Sequence, residues 1–186
     1  MQHLTKEQIL AASEKIFAAF NAAGNAIDEP SFFKNRGEKW SVAENVQHLI
    51  VSTNTTTLAY TLPAFIVRIV GGKPNRGSKS YEALVEKYTL KLAEGGRASG
   101  RFVPKPMEIK YGKERLLQNW QQAALKFINA IKNKTTESKL DDYLVRHPLL
   151  GRITLRELCY FTIYHTAHHL NIINKMTDPN PKLTKP

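Results

Sequence analysis

Residues 159–173 read CYFTIYHTAHHLNII, and three of the chain's six histidines, His165, His168 and His169, stand within five positions there. The rest of the run is largely apolar. Spacing of four puts His165 and His169 on adjacent turns of one helix face. At 100° per residue they lie about 40° apart and share a stripe with Leu158, Phe161, Ile172 and Met176, while His168 falls about 60° to one side. An imidazole facing a core loses water from its N–H and its lone pair, which costs a few kcal/mol unless both find partners. A single histidine in such a place reads as a hydrogen-bonded core residue. Two on one face suit chelation of one cation, with Zn–N distances near ~2.0–2.1 Å, and metal binding is the reading for the pair.

A third ligand has to come from another element. His3 is near the N-terminus and His147 precedes Pro148 in a connection. His48 stands inside a helical segment beside Ser52 and Ala59, at the flank of the apolar stripe; it is the remaining candidate, and by position alone it reads as a surface helix histidine. The motif is not H-E-x-x-H, because Thr166 follows the first histidine, so the glutamate base of a zinc protease has no counterpart. His168 is placed at a pocket rim. Tyr160 and Tyr164 project away from the stripe and receive no role. Cys159 reads as a small core residue.

Four segments carry a helical rhythm that could position these side chains. The first opens at a capping box, Thr5 with Gln8, and repeats Ile9, Ala12, Ile16 and Phe20 before Gly24 and Pro30. The second opens at Ser41 with Glu44, carries Val42, Val46, Leu49 and Thr53, and is expected to run past Pro63 with a kink to Gly71. The third places Leu116, Leu117, Trp120, Ala123, Ala124, Phe127, Ile128 and Ile131 on one face. The fourth opens at Thr154 with Glu157 and stops before Asp178-Pro179. Between the second and third lie about forty residues, with a short helix expected in SYEALVEKYTLKL and a loop in EGGRASGRFVPKP. Strands are expected to be minor. The fold class is all-α: a four-helix bundle with a long connection between helices 2 and 3, forming one domain over 1–178 and a flexible tail over 179–186.

Composition narrows the function classes. An apolar fraction of 42% with 9% aromatics suits a globular chain. No apolar run reaches the roughly 20 residues that cross a bilayer, and the N-terminal residues lack the pattern of a secretory signal, so a cytoplasmic protein without a membrane partner is expected. One cysteine excludes an internal disulfide and a multi-cysteine zinc site. Of the net charge of +11, the stretch from Gly71 to Arg115 contributes +6, with eleven Lys/Arg against five Glu. No nucleic-acid-binding signature accompanies it, so a solvated basic surface is preferred to a nucleic-acid partner, with steering of an anionic small substrate between the two.

The segments WSVAENVQHL and HPLLGRITLRELCYFTIYHTAHH together resemble the DinB-like superfamily of four-helix bundles. Trp40, Ser41, Glu44, His48 and Leu49 carry the first half of the likeness; His147, Pro148, Gly151, Thr154, Glu157, His165, His168 and His169 carry the second. The resemblance implies that His48, His165 and His169 form a metal triad. Glu44 and Glu157 keep their reading as helix caps, and Trp40 and Gly151 serve packing and a turn. After the histidine pair the family often has glycine and glutamine; Asn171 and Ile172 stand here, and Ile172 removes a polar group from beside the site. By resemblance the leading function is metal-dependent S-transfer of a low-molecular-weight thiol to a small electrophile, with zinc the first choice of metal and nickel the next. A metal-dependent hydrolase and a non-catalytic metal-binding stress-response module are the alternatives, and a homodimer is left open.

Overall fold

The computed structural model describes residues 3–177; the tail expected over 179–186 lies outside the described residues. In chain order the helices are α1 (Lys6–Ala26), α2 (Glu29–Phe33), α3 (Val42–Thr61), α4 (Ala64–Gly71), α5 (Tyr81–Ala93), α6 (Lys113–Lys134), α7 (Lys139–Asp142) and α8 (Leu155–Thr177). Two short strands, β1 (Leu144–His147) and β2 (Gly151–Thr154), pair antiparallel with Val145 opposite Ile153. The long helices α1, α3, α6 and α8 form the bundle. α1 packs on α6 and α8, and α3 packs on the same two, so the first two long helices occupy opposite corners. The long connection permits this order by carrying the chain across the end of the bundle.

The helix starts form where side chains can satisfy the first free N–H groups. Thr5 with Gln8 and Ser41 with Glu44 form reciprocal capping boxes. Thr154 and Glu157 exchange the same pair of bonds at the start of α8, at 2.9 and 3.1 Å. Several helix ends use lysines instead. Lys6 Nζ donates to the carbonyls of Lys132 and Thr135 at the end of α6. Lys113 Nζ donates to Asn25 and Ile27 at the end of α1. Each places a cation at the negative end of a helix dipole, so part of the chain's basic excess is structural.

The core is a set of edge-to-face aromatics. Trp120 meets Phe17 and Phe20 with ring centroids 5.3 and 5.1 Å apart, and Phe127 meets Phe17 and Tyr60 at 5.7 Å each. All five rings are buried. Such contacts add about 0.5–1.5 kcal/mol each beyond the area removed from water.

Two expectations are corrected. The second long helix does not continue through Pro63 with a kink. α3 ends at Thr61, Leu62 turns to an extended conformation (φ −68°, ψ 149°), and Pro63 starts the separate helix α4. A proline disfavours helical geometry in the residue before it, and here Leu62 leaves the helix altogether. Tyr160 does not project away from the core; it is fully buried and its hydroxyl accepts a bond from the Leu4 N–H at 2.9 Å. The first half of α8 is covered on every side, by α1, α3, α5, α7 and the hairpin, so no face of it remains for solvent.

α4 is held against the hairpin by a glycine. A Cβ on Gly71 would lie 1.6 Å from the Leu144 carbonyl oxygen, so only a hydrogen there lets the helix end reach β1. The following Gly72 has φ 89° and stops the helix. Glu157, fully buried, accepts from both Arg76 guanidinium nitrogens at 2.6 and 2.9 Å and from the Lys79 N–H at 2.7 Å. It is therefore an anchor for the α4–α5 connection as well as a helix cap.

Candidate metal centre

α3 and α8 lie side by side, and their facing surfaces bring His48, His165 and His169 together. All three are buried, at 4–6% exposure. Their rings converge through the Nε2 atoms: His165 Nε2 stands 3.0 Å from His48 Nε2 and 3.1 Å from His169 Nε2. Among the described residues this is the group of three potential ligand side chains whose donor atoms close within one ion's reach.

The outer nitrogens decide the proton positions. His48 Nδ1 lies 2.7 Å from the Phe102 carbonyl, an acceptor only, so that nitrogen carries the hydrogen and donates. His169 Nδ1 lies 2.7 Å from Asn45 Oδ1. The Asn45 amide is oriented by its Nδ2, which donates to the Ser41 carbonyl at 2.8 Å, so Oδ1 faces the ring and accepts. Both rings then present bare Nε2 lone pairs. The third ring is held more loosely, with Ser52 Oγ 3.4 Å from His165 Nδ1.

Burial, reinforced by the neighbouring imidazoles, holds His165 and His169 well below the ordinary imidazole range. Burial also lowers His48, against the opposing pull of its bond to Phe102. All three rings are accordingly neutral near pH 7. A single hydrogen on His165 Nε2 can serve only one of the two facing lone pairs at a time. A cation held between the rings would satisfy all three nitrogens. Nitrogens bound to one zinc ion at about 2.0–2.1 Å sit about 2.8–3.4 Å apart for angles between 90° and tetrahedral, which brackets both of these spacings. The cluster fits a metal-binding role.

Aromatic rings fix the imidazoles from outside. The Trp40 ring is parallel to His169 (6.2 Å, 7°) and tilted against His48 (5.0 Å, 42°), and Phe161 stacks on His165 (4.8 Å, 21°). Trp40 thus packs directly on two members of the cluster. His168 meets His169 edge-on at 5.3 Å and is among the residues lining the cavity beside the cluster. Cys159 is fully buried, its Sγ 3.1 Å from the Tyr60 hydroxyl, and burial pushes its thiol up to about 12. It is a core residue. His147 belongs to the hairpin, not to the cluster: its Nδ1 accepts from the N–H groups of Leu149 and Leu150 at 3.2 and 3.1 Å. The turn then closes through Gly151 at φ 74°.

Sequence reasoning did not find Asn45 or Phe102. A signal for Asn45 exists: Asn45, His48 and Ser52 recur at i, i+3 and i+7, a polar row on a helix that otherwise buries that side. Phe102 contributes a backbone carbonyl from a single 3-10 turn, Gly100–Phe102, and its side chain gives no hint of that. Although Ile172 offers no polar group beside the site, the orienting bonds arrive from α3 and this turn instead.

The cluster lies on the wall of a cavity of about 1310 Å³. The cations Arg36, Lys39, Arg97, Arg101, Arg146 and Lys175 line it, against the one carboxylate of Glu38. Of the basic stretch from Gly71 to Arg115, only Arg97 and Arg101 reach it. Arg76 is paired with Glu157, while Lys87 and Lys113 donate to backbone carbonyls. No described helix is long and apolar enough to cross a membrane. Neither a comparison with curated proteins nor one with solved structures gives a match. A family model does match, over residues 2–173, and with the bundle and its three-histidine cluster in place the chain belongs to the DinB superfamily.

Proposed function

We propose that this chain is a divalent-metal-dependent enzyme that transfers a small thiol to an electrophile, with His48, His165 and His169 holding the metal. The observation that carries the reading is the convergence of three neutral Nε2 atoms, two of them kept bare by bonds to Phe102 and Asn45. Imidazole donors suit zinc first and nickel next. Such an ion supplies a Lewis acid that lets a thiol lose its proton near neutral pH. In the reaction the thiol proton passes to solvent, the sulfur forms a bond to the electrophilic carbon, and the leaving group departs with the bonding pair.

The chain's own residues do the rest. Phe102 and Asn45 hold two rings in one tautomer, so the donor set needs no reorganisation. Trp40 and Phe161 cover the rings and exclude water. The cationic lining attracts an anionic thiol or electrophile. Hydrolysis fits less well, because it asks for a general base and the one carboxylate lining the cavity, Glu38, is exposed. A cytoplasmic setting goes with the proposal, since low-molecular-weight thiols are kept reduced there.

The test is thiol conjugation to a chromogenic electrophile by purified protein. Turnover that disappears on chelation and returns with added zinc or nickel supports the proposal. Tight metal binding without thiol-dependent turnover, under any metal supplied, leaves a non-catalytic metal-binding module and overturns it.

A further inference from the structure

The cavity is larger than the roughly 300–1,000 Å³ of an ordinary small-molecule site, and its lining combines an apolar row with a set of cations. Leu58, Leu62, Ile66 and Val70 line it at intervals of four residues, running from the last turns of α3 onto α4. The break at Leu62-Pro63 ends one helix and starts the next without interrupting this row. Leu58, Leu62 and Val70 remain 42–56% exposed, so the row is an apolar wall with no protein partner of its own. A free hydrocarbon surface of this kind marks a binding site more often than a solvated face.

The cations supply the complementary chemistry. None of Arg36, Lys39, Arg97, Arg101, Arg146 and Lys175 forms an ion pair with a carboxylate among the described residues. Arg36 goes further: its Nε is buried and has no hydrogen-bond partner, while its Nη2 makes only a long bond of 3.3 Å to the Met176 carbonyl. A guanidinium so short of acceptors is held at a cost, and an anion entering beside it would offset that cost.

We infer that the cavity binds an amphiphilic anion, with its unbranched alkyl tail laid along Leu58, Leu62, Ile66 and Val70 and its anionic group held by the cations, Arg36 foremost. This rests on the proposed conjugation for its chemistry, in that the alkyl-chain anion is the electrophile of that reaction. The binding itself does not depend on turnover.

The experiment is calorimetric titration of the purified protein with straight-chain carboxylates from hexanoate to dodecanoate, kept below their micellar concentrations. Affinity is expected to rise about two- to fourfold for each added methylene, the value for a methylene taken from water onto an apolar wall. Ile66→Asn is expected to flatten this dependence. Leu58→Gln, at a half-exposed position where folding is not at stake, is expected to flatten it too. Arg36→Ala is expected to weaken every member of the series about tenfold or more while keeping the dependence on length. Affinity that ignores chain length in the wild type overturns the inference, and so does an undiminished length dependence in both wall variants. A protein that shows the dependence but conjugates no thiol keeps the tail site and loses the catalytic proposal. One that conjugates thiols without the dependence loses the tail site alone.

Discussion

Removing the Asn45 carboxamide should weaken the metal centre without touching a ligand. In Asn45→Ala the His169 Nδ1–H loses its acceptor at 2.7 Å, and the ring is 4% exposed, so water cannot readily replace it. Two outcomes compete. The N–H stays and goes unsatisfied, at about 1–3 kcal/mol. Alternatively the hydrogen moves to Nε2, the atom that faces His165 at 3.1 Å, and must be displaced before a cation can enter. The second route puts the cost on the bound state, because the free chain escapes it and must take it up again on binding; 1–3 kcal/mol is about a 5- to 150-fold loss of affinity at 1.36 kcal/mol per factor of ten. That range covers the 10–100-fold typical of losing such a supporting bond. The α3 start survives, because the Asn45 N–H still donates to the Ser41 carbonyl and the capping box is intact. Competition with a chromogenic chelator measures the affinity directly. Ser52→Ala is the internal control, since its hydroxyl stands 3.4 Å from His165 Nδ1, too long for a strong bond, and should cost less than about threefold. Equal affinity in Asn45→Ala and wild type, or equal losses in the two variants, would refute the tautomer reasoning.

Three further outcomes follow from particular contacts. His165→Ala and His169→Ala should each lose most bound metal with helical circular dichroism nearly unchanged, whereas His168→Ala should keep its metal; the reverse pattern would mean a different donor set. Gly71→Ala should destabilise by about 1–3 kcal/mol in urea titration, because the new Cβ meets the Leu144 carbonyl; an unchanged midpoint would mean α4 moves freely off the hairpin. Burial, with the Lys87 charge adding to it, pushes His147 down to about 4, from an ordinary value near 6.5. The folded chain therefore binds fewer protons than the unfolded one in that window, and stability falls as pH drops from about 6.5 to about 4, by at most about 3 kcal/mol from this residue. His147→Asn, whose side-chain oxygen can accept the same backbone bonds, should lose less stability between pH 7 and pH 4.5 in the presence of chelator; identical losses would assign the acid sensitivity elsewhere.

How far the sequence could be read depends on the range of the forces involved. Capping boxes and the 3.6-residue stripe are local, so Thr5, Ser41 and Thr154 marked three of the four long helices correctly, and Trp120 and Phe127 marked the face of the remaining one. The spacing of His165 and His169 is local too. His48 is different: its own position is ambiguous, and only the resemblance joined it to the pair before the geometry did. The hairpin escaped because four-residue strands are too short to alternate visibly, and its closing bonds come from His147, a side chain acting as a backbone partner. Pro63 offers a kink or a break with the same letters; the packing of α4 on β1 decides between them. The cavity lining was not legible at all. Its cations come from four separate stretches of chain, brought together only by the bundle's non-sequential order.

The most direct measurement is elemental analysis of freshly purified protein beside its His48→Ala variant. Three Nε2 atoms closing on one point predict about one divalent transition-metal ion per chain in the wild type. In the variant, with the one donor that α3 supplies removed, most of it should be gone. A variant that retains the same stoichiometric metal, or a wild type that takes up none even when zinc or nickel is supplied, would contradict the account.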